Sequence, residues 1–295
     1  MGGIQSVGIY ASSSEVTIMA LTEKGGKCRL THFSQQEIPG SDFFNSKQTS
    51  SFQHLRTEFF SKKKGENNPV FFSFSPEPVV LRYFKMLKIP KREWGVAIRF
   101  EARKYIPFSM EKMESDFMVL PLEKNKNEME VVLFAVERSC LEHLSLFLQE
   151  VGLTAQATET SWLSVLRLLK WNKQLRDKTN EGGILLSLEQ DRLGIALFVS
   201  GVPYFSREVR WSSSIVDSSS PDIMESVAGE VRLAQEFHRK NFPEKSLTTL
   251  YSFGSWGSEK LNNQLSKECE ITTIMVDPFL KIKGPLDFHV VYVYV

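Results

Sequence analysis

At 295 residues, 42% of them apolar and 24% charged, the chain is long enough for two domains and has the make-up of a soluble globular protein rather than a disordered one. A formal net charge of +1 argues against a wholesale nucleic-acid binder, which carries a basic excess. Cys28, Cys140 and Cys269 lie far apart with no paired spacing, which fits neither a disulfide framework nor a zinc site and suits a reducing compartment; no apolar run approaches membrane-helix length, so a cytoplasmic location is expected, with the membrane reached only through partners.

Residues 6–21 read as strand, turn, strand, with Val16, Ile18 and Ala20 alternating. Gly25 and Gly26 turn the chain into a third strand around 29–33, and 34–51 is expected to be largely loop. Phe52, Leu55 and Phe59 mark a short helix, ended by Lys62, Lys63, Lys64 and Gly65, and 70–74 is a buried strand. From Arg92, the residues Trp94, Ala97, Ile98, Ala102 and Tyr105 share one side of a helical wheel until Pro107 ends the helix. Arg92, Arg99 and Arg103 share the other side with Val96, so one face suits a core and the other suits water or an anionic partner. Glu101 falls within the apolar stripe; a carboxylate hydrogen-bonded to a neighbouring backbone is its commoner role there, and partner binding is the other.

A strand over 129–136 is expected to pair with 116–122 across a polar turn. Leu141, Leu144, Leu148 and Val151 space out a helix capped by Gly152, and Trp162, Val165, Leu166 and Leu169 form the next. After a polar linker at 172–183 the opening pattern recurs, as two strands over 183–198 and a third over 201–209. This repeat predicts two related lobes. A serine-rich loop (212–222), a helix through Met224, Val227, Val231 and Ala234, a strand at 247–253, a helix through Leu261 and Leu265, a strand at 271–276 and an apolar end at 289–295 complete the chain.

The segment holding Glu101, Ala102, Tyr105, Ile106, Pro107, Phe108, Asp116 and Phe117 resembles the hallmark Glu-Ala-x-x-Tyr-Ile-Pro-Phe run and later Asp-Phe of the PilM family, the actin-like proteins of type IV pilus assembly. The resemblance implies an α/β, two-lobed actin-like ATPase fold of the FtsA/PilM kind with a small α/β insert subdomain in the first lobe. The expected boundaries are a first lobe at 1–84, an insert at 85–155, a connecting helix and linker at 156–182, and a second lobe at 183–295. It also implies an acid before the helix at 162–169, which here is Glu159.

In such a fold, backbone amides of two glycine-bearing turns hold the nucleotide, and acids at their bases hold Mg²⁺ through water. Matched to the family pattern, Tyr10 takes the place of the first acid, Ser12 of its glycine and Thr17 of its lysine. Ser12, Ser13 and Ser14 could bond phosphate, although serines suit any strand-joining turn and Glu15 beside them would repel it. In the second turn Ser187 stands for the acid and Glu189 for the glycine. A carboxylate aimed at a triphosphate costs on the order of a few kcal/mol at intermediate dielectric. Glu230 resembles a nucleoside-facing helix position, ordinary also for a solvated face, and Gly254 and Gly257 keep half of the adenine-side glycine cluster. A one-position shift in either turn would bring in Asp191 as an acid. The expectation is a pseudo-ATPase that uses neither ATP nor Mg²⁺ and has no catalytic or metal-ligating residues.

The resemblance further implies a groove for the N-terminal peptide of a PilN-type membrane partner, with Tyr83, Phe84, Arg99, Glu101, Arg103 and Tyr105 as candidate contacts; the aromatics equally suit a core. The alternatives are the cytoplasmic domain of a GspL-type type II secretion platform protein that docks the secretion ATPase, whose membrane helix would follow residue 295, and an active actin-like ATPase of the PilM/FtsA type. A secretion or pilus ATPase is a further expected partner, and nucleic acid is not.

Overall fold

Gly25 and Gly26 sit at φ 61° and 73°, the left-handed values a two-residue hairpin needs at both central positions. A computed structural model describes residues 4–12, 15–37, 69–74, 79–106, 109–120, 127–150, 152–175, 181–189, 192–210, 221–254 and 257–283. Its elements run β1 (Ile4–Ala11), β2 (Glu15–Lys24), β3 (Lys27–Glu37), β4 (Val70–Phe74), β5 (Val80–Leu87), α1 (Trp94–Ala102), β6 (Met113–Val119), β7 (Glu128–Glu137), α2 (Arg138–Glu150), β8 (Ala155–Thr160) and α3 (Ser161–Trp171). There follow β9 (Glu181–Leu188), β10 (Arg192–Val199), β11 (Val202–Arg210), α4 (Pro221–Asn241), β12 (Ser246–Phe253), α5 (Glu259–Glu268), β13 (Thr272–Met275) and β14 (Ile282–Lys283). They form two units, one of Met1–Glu77, Arg138–Gln174 and Asp277–Val295, the other of Pro78–Glu137 and Leu175–Val276.

The first unit holds a sheet ordered β14-β3-β2-β1-β4-β8. Strands β1, β2 and β3 meander antiparallel, whereas β4 runs parallel to β1 and β8 parallel to β4. The carboxyl ends of β1, β4 and β8 therefore emerge together, where open α/β sheets place their ligand-binding residues. Helix α2 ends at Gly152, φ 64°, with the Leu153 amide donating to the Leu148 carbonyl at 2.8 Å, the left-handed cap that a glycine permits.

The second unit repeats the plan. Its five-stranded sheet is ordered β11-β10-β9-β12-β13, with β9, β10 and β11 antiparallel and β12 and β13 parallel to β9. Ile184, Leu186, Leu188, Leu193, Ile195 and Leu197 bury fully against Val227, Val231 and Ala234 of α4 and Leu261 and Leu265 of α5; each such side chain contributes roughly 1.5–3 kcal/mol of transfer free energy. At Gly183 a Cβ would lie 2.4 Å from Phe198 Cζ, so the absent side chain is what lets the ring lie across the strand.

The insert interrupts the first lobe in sequence and belongs by its packing to the second unit. Its sheet, ordered β5-β7-β6, is antiparallel, with Asp116 opposite Phe134 as the expected pairing requires. Alternation along β5 and β7 gives it two apolar faces. On one, Val80, Phe84, Met129, Val131, Leu133 and Ala135 pack under Ile98 and Ala102 of α1. On the other, Leu81, Tyr83, Val132 and Phe134 meet Val199, Tyr204, Phe237 and Phe242.

Strand β3 continues to Glu37, into the stretch expected to be loop, because residues 34–37 pair with Ile18, Thr17, Val16 and Glu15. Strands β8 and β14 have no counterpart in the sequence reading; β8 is polar, and pairing with β4 rather than composition makes it a strand. The helix expected over 52–59 and the strand over 289–295 lie outside the described residues, as does most of the serine-rich loop.

Candidate functional site

The hairpin turn of the first unit leaves β1 at Ala11 opposite Val16. Tyr10 is 3% exposed, Ser12 is buried, and Thr17, opposite Tyr10 in the register, is buried too. Ser13 and Ser14 lie outside the described residues. Glu159, near the carboxyl end of β8, is held on both oxygens: Ser164 Oγ lies 2.9 Å from Oε1, and the Arg167 guanidinium pairs with Oε2. The same Ser164 hydroxyl is 2.9 Å from Ser73 Oγ on β4, tying the ends of two parallel strands through one buried group.

In the second unit the Glu189 amide donates to the Arg192 carbonyl at 2.9 Å, closing the turn between β9 and β10. Ser187 and Glu189 are both buried. Arg192 is buried as well, and its Nη1 pairs at 2.9 Å with Oε1 of Glu208 on the neighbouring β11. The pairing follows from the register, which sets Gly194 opposite Glu208 and leaves the arginine room beside it. Glu230, buried on α4, pairs with Arg207 Nε at 3.2 Å. Gly254 has φ 104°, and a Cβ there would lie 2.3 Å from the Leu188 carbonyl oxygen, so glycine is the one residue that fits. The Gly257 amide donates to the Gly254 carbonyl at 3.3 Å, and Ser258 caps α5 by accepting from the Leu261 amide.

Within the insert, Arg99 on α1 and Arg103 just past its end are exposed, as expected. Glu101 pairs with a side chain rather than with backbone: Lys104 Nζ donates to both its oxygens, at 2.9 and 2.8 Å, and this hydrogen bond raises the Lys104 pKa above its ordinary value. Phe84 is a correction. At 3% exposure it belongs to the core under α1 and offers no wall to a groove; its ring stacks under Tyr105 at 4.9 Å and 9° and supports that half-exposed side chain from behind. Tyr83 packs edge-on against Tyr204 and beside Phe242, and burial, reinforced by Glu130, pushes its hydroxyl pKa up. Arg82 donates through Nε to the Tyr105 carbonyl at 3.0 Å, fixing the chain where it leaves the helix; burial lowers its pKa.

The sequence reading passed over Phe100, which with Val96 is among the exposed large apolar side chains of the insert. Their four-residue spacing on a basic helix face was the available signal. Among the described residues there is no group of three or more histidine, cysteine, aspartate or glutamate side chains able to hold a metal ion, and no helix long and apolar enough to cross a membrane.

The chain is similar in structure to a PilM-PilN type IV pilus biogenesis complex, with TM-score 0.73 and 18% identity over 95% of this chain and 90% of that one. It is similar also to the cytoplasmic domain of EpsL, an inner membrane component of the type II secretion system of Vibrio cholerae, with TM-score 0.53 and 10% identity over 90% of this chain and 94% of that one. A Bacteroides thetaiotaomicron protein with an actin-like ATPase fold and unknown function matches with TM-score 0.51 and 11% identity, over 94% and 92% of the two chains. These likenesses show the two-lobed actin-like ATPase fold. No curated protein sequence matches at a significant level. The family model described as type IV pilus assembly protein PilM matches residues 8–186, more than half of the sequence, and the chain belongs to that family.

Proposed function

We propose that the protein is a non-catalytic scaffold of a bacterial inner-membrane assembly platform of the type IV pilus kind, cytoplasmic and held at the membrane by the N-terminal peptide of a PilN-type partner. The observation that carries the partner half of this reading is that Arg99 and Arg103 stand exposed, on and just past the helix that opens the family's hallmark run. An apolar core asks for neither arginine, whereas a peptide groove uses such groups for orientation and Tyr105 for contact. The contact set is narrowed to Arg99, Arg103 and Tyr105, because Phe84 is buried under α1, Tyr83 packs on Tyr204 and Phe242 of the second lobe, and Glu101 is held by Lys104.

The non-catalytic half rests on the residues of the two turns. Mg²⁺ needs oxygen ligands facing the phosphates, and Tyr10 and Ser187 offer no carboxylate. Glu159 is paired with Arg167, and the buried Glu189 places a carboxyl side chain where a glycine would admit phosphate. These residues do not fit Mg²⁺-ATP, and no step of a hydrolysis follows from them. A GspL-type role in type II secretion is the second reading, favoured by the fold likeness to the Vibrio cholerae protein; the family match favours the pilus.

The test is a pull-down with a synthetic N-terminal peptide of a PilN-type membrane protein. Capture by wild type, and its loss in the Arg99→Glu, Arg103→Glu double variant, is the expected result. Equal capture by both removes the arginines from the site.

A further inference from the structure

Helix α1 presents two apolar side chains that the fold does not use. Val96 is 81% exposed and Phe100 66%, while Ile98 and Ala102 supply the helix's buried side. Four residues apart, they lie one turn above the other. Arg99 on the helix, Arg92 in the turn before it and Arg103 just after its end are exposed, so basic side chains flank the apolar pair along the sequence. Between 91 and 104 the chain carries five basic and two acidic side chains. Both acids have local partners, Glu101 in Lys104 and Glu93 in Arg92 at 3.4 Å, which leaves the face cationic.

We propose that this face docks an acidic amphipathic helix of a partner protein, whose apolar residues at helical spacing cover Val96 and Phe100 and whose carboxylates pair with Arg99 and Arg103. Charge complementarity carries the choice of occupant. A second copy of the same face would bring arginine rows together with no acid to answer them. A lipid surface asks for a long apolar stripe, and this nine-residue helix offers two apolar side chains. Guanidinium groups spaced along a helix can each take a carboxylate in a two-pronged contact, and an apolar helix face fits over side chains at four-residue spacing. The proposal goes beyond binding of the membrane partner's peptide: the two share Arg99 and Arg103, and only this one needs Val96 and Phe100.

The experiment uses the full chain and a labelled synthetic helical peptide with leucines at four-residue spacing flanked by glutamates, read by fluorescence anisotropy. A copy with lysine for every glutamate and vesicles of anionic phospholipid serve as comparisons. Wild type is expected to bind the acidic probe and neither comparison. The Val96→Ser, Phe100→Ser variant, whose changes are exposed and leave the melting curve in place, is expected to lose binding roughly tenfold or more, as a loss of about 1.4 kcal/mol or more would give, while still capturing the membrane partner's peptide. Binding undiminished in that variant, equal binding of the lysine probe, or binding of vesicles in preference to the acidic peptide would each overturn the proposal. Loss of the membrane partner's peptide in that variant would place Val96 and Phe100 in the peptide's own site and overturn the proposal of a second partner there.

Discussion

Tyr83 of the insert and Tyr204 of β11 meet edge to face, their ring centroids 5.1 Å apart and their planes at 76°, with Phe242 closing the group at 5.6 and 4.5 Å. This cluster joins the insert to the second lobe within one unit. Aromatic pairs of this geometry couple by about 0.5–1.5 kcal/mol beyond their buried area. A double-mutant cycle with Tyr83→Leu and Tyr204→Leu, read by urea denaturation, should return a coupling in that range. Additive losses would mean that the rings are neighbours without mutual stabilisation.

The proposed match of Tyr10 to the first acid of the actin-like pattern puts at that position a side chain that is core in this fold. Reinstating the acid as Tyr10→Asp buries a carboxylate beside Thr17 of β2 and Ser73 of β4, its register neighbours, and burying a charge without a counter-charge costs about 3 kcal/mol or more. The variant should melt well below wild type and gain no affinity for Mg²⁺-ATP. A stable variant would show that the position still faces a polar site.

His238 of α4 packs against Gly182, and its Nε2 has no hydrogen-bond partner among the described residues. Burial lowers its pKa below the ordinary 6.5. As pH falls through that ordinary value, the unfolded chain takes up a proton here before the folded chain does. The contribution of this histidine to stability is therefore present above the unfolded pKa and lost as pH drops below it. Between about pH 7.5 and 5.5, the urea midpoint of wild type should fall further than that of His238→Gln; parallel falls would assign the acid sensitivity to other groups.

Much of the fold was legible from pattern. The strand-turn-strand start recurs at 183–198, and the two sheets share the order of their first strands, β3-β2-β1-β4 against β11-β10-β9-β12. What pattern left out has physical reasons. Strand β8 is polar because it lies at the end of its sheet, so no alternation announces it. The direction of Phe84 was recoverable: two-residue alternation sets Val80 and Phe84 on one face of β5 and Leu81 and Tyr83 on the other, and a strand with both faces covered has no aromatic to spare for a groove. Glu101 and Lys104 stand three apart where α1 runs into a turn, the spacing at which such pairs form. The buried pair of Arg192 with Glu208 depends on strand register, which no local reading supplies.

A scaffold binds its partner without nucleotide, and calorimetry decides this from the affinity of a PilN-type partner's N-terminal peptide for the full chain, measured with and without Mg²⁺-ATP. The predicted result is binding of equal strength in both conditions. No binding at all, or binding that appears or shifts tenfold when Mg²⁺-ATP is added, would contradict it.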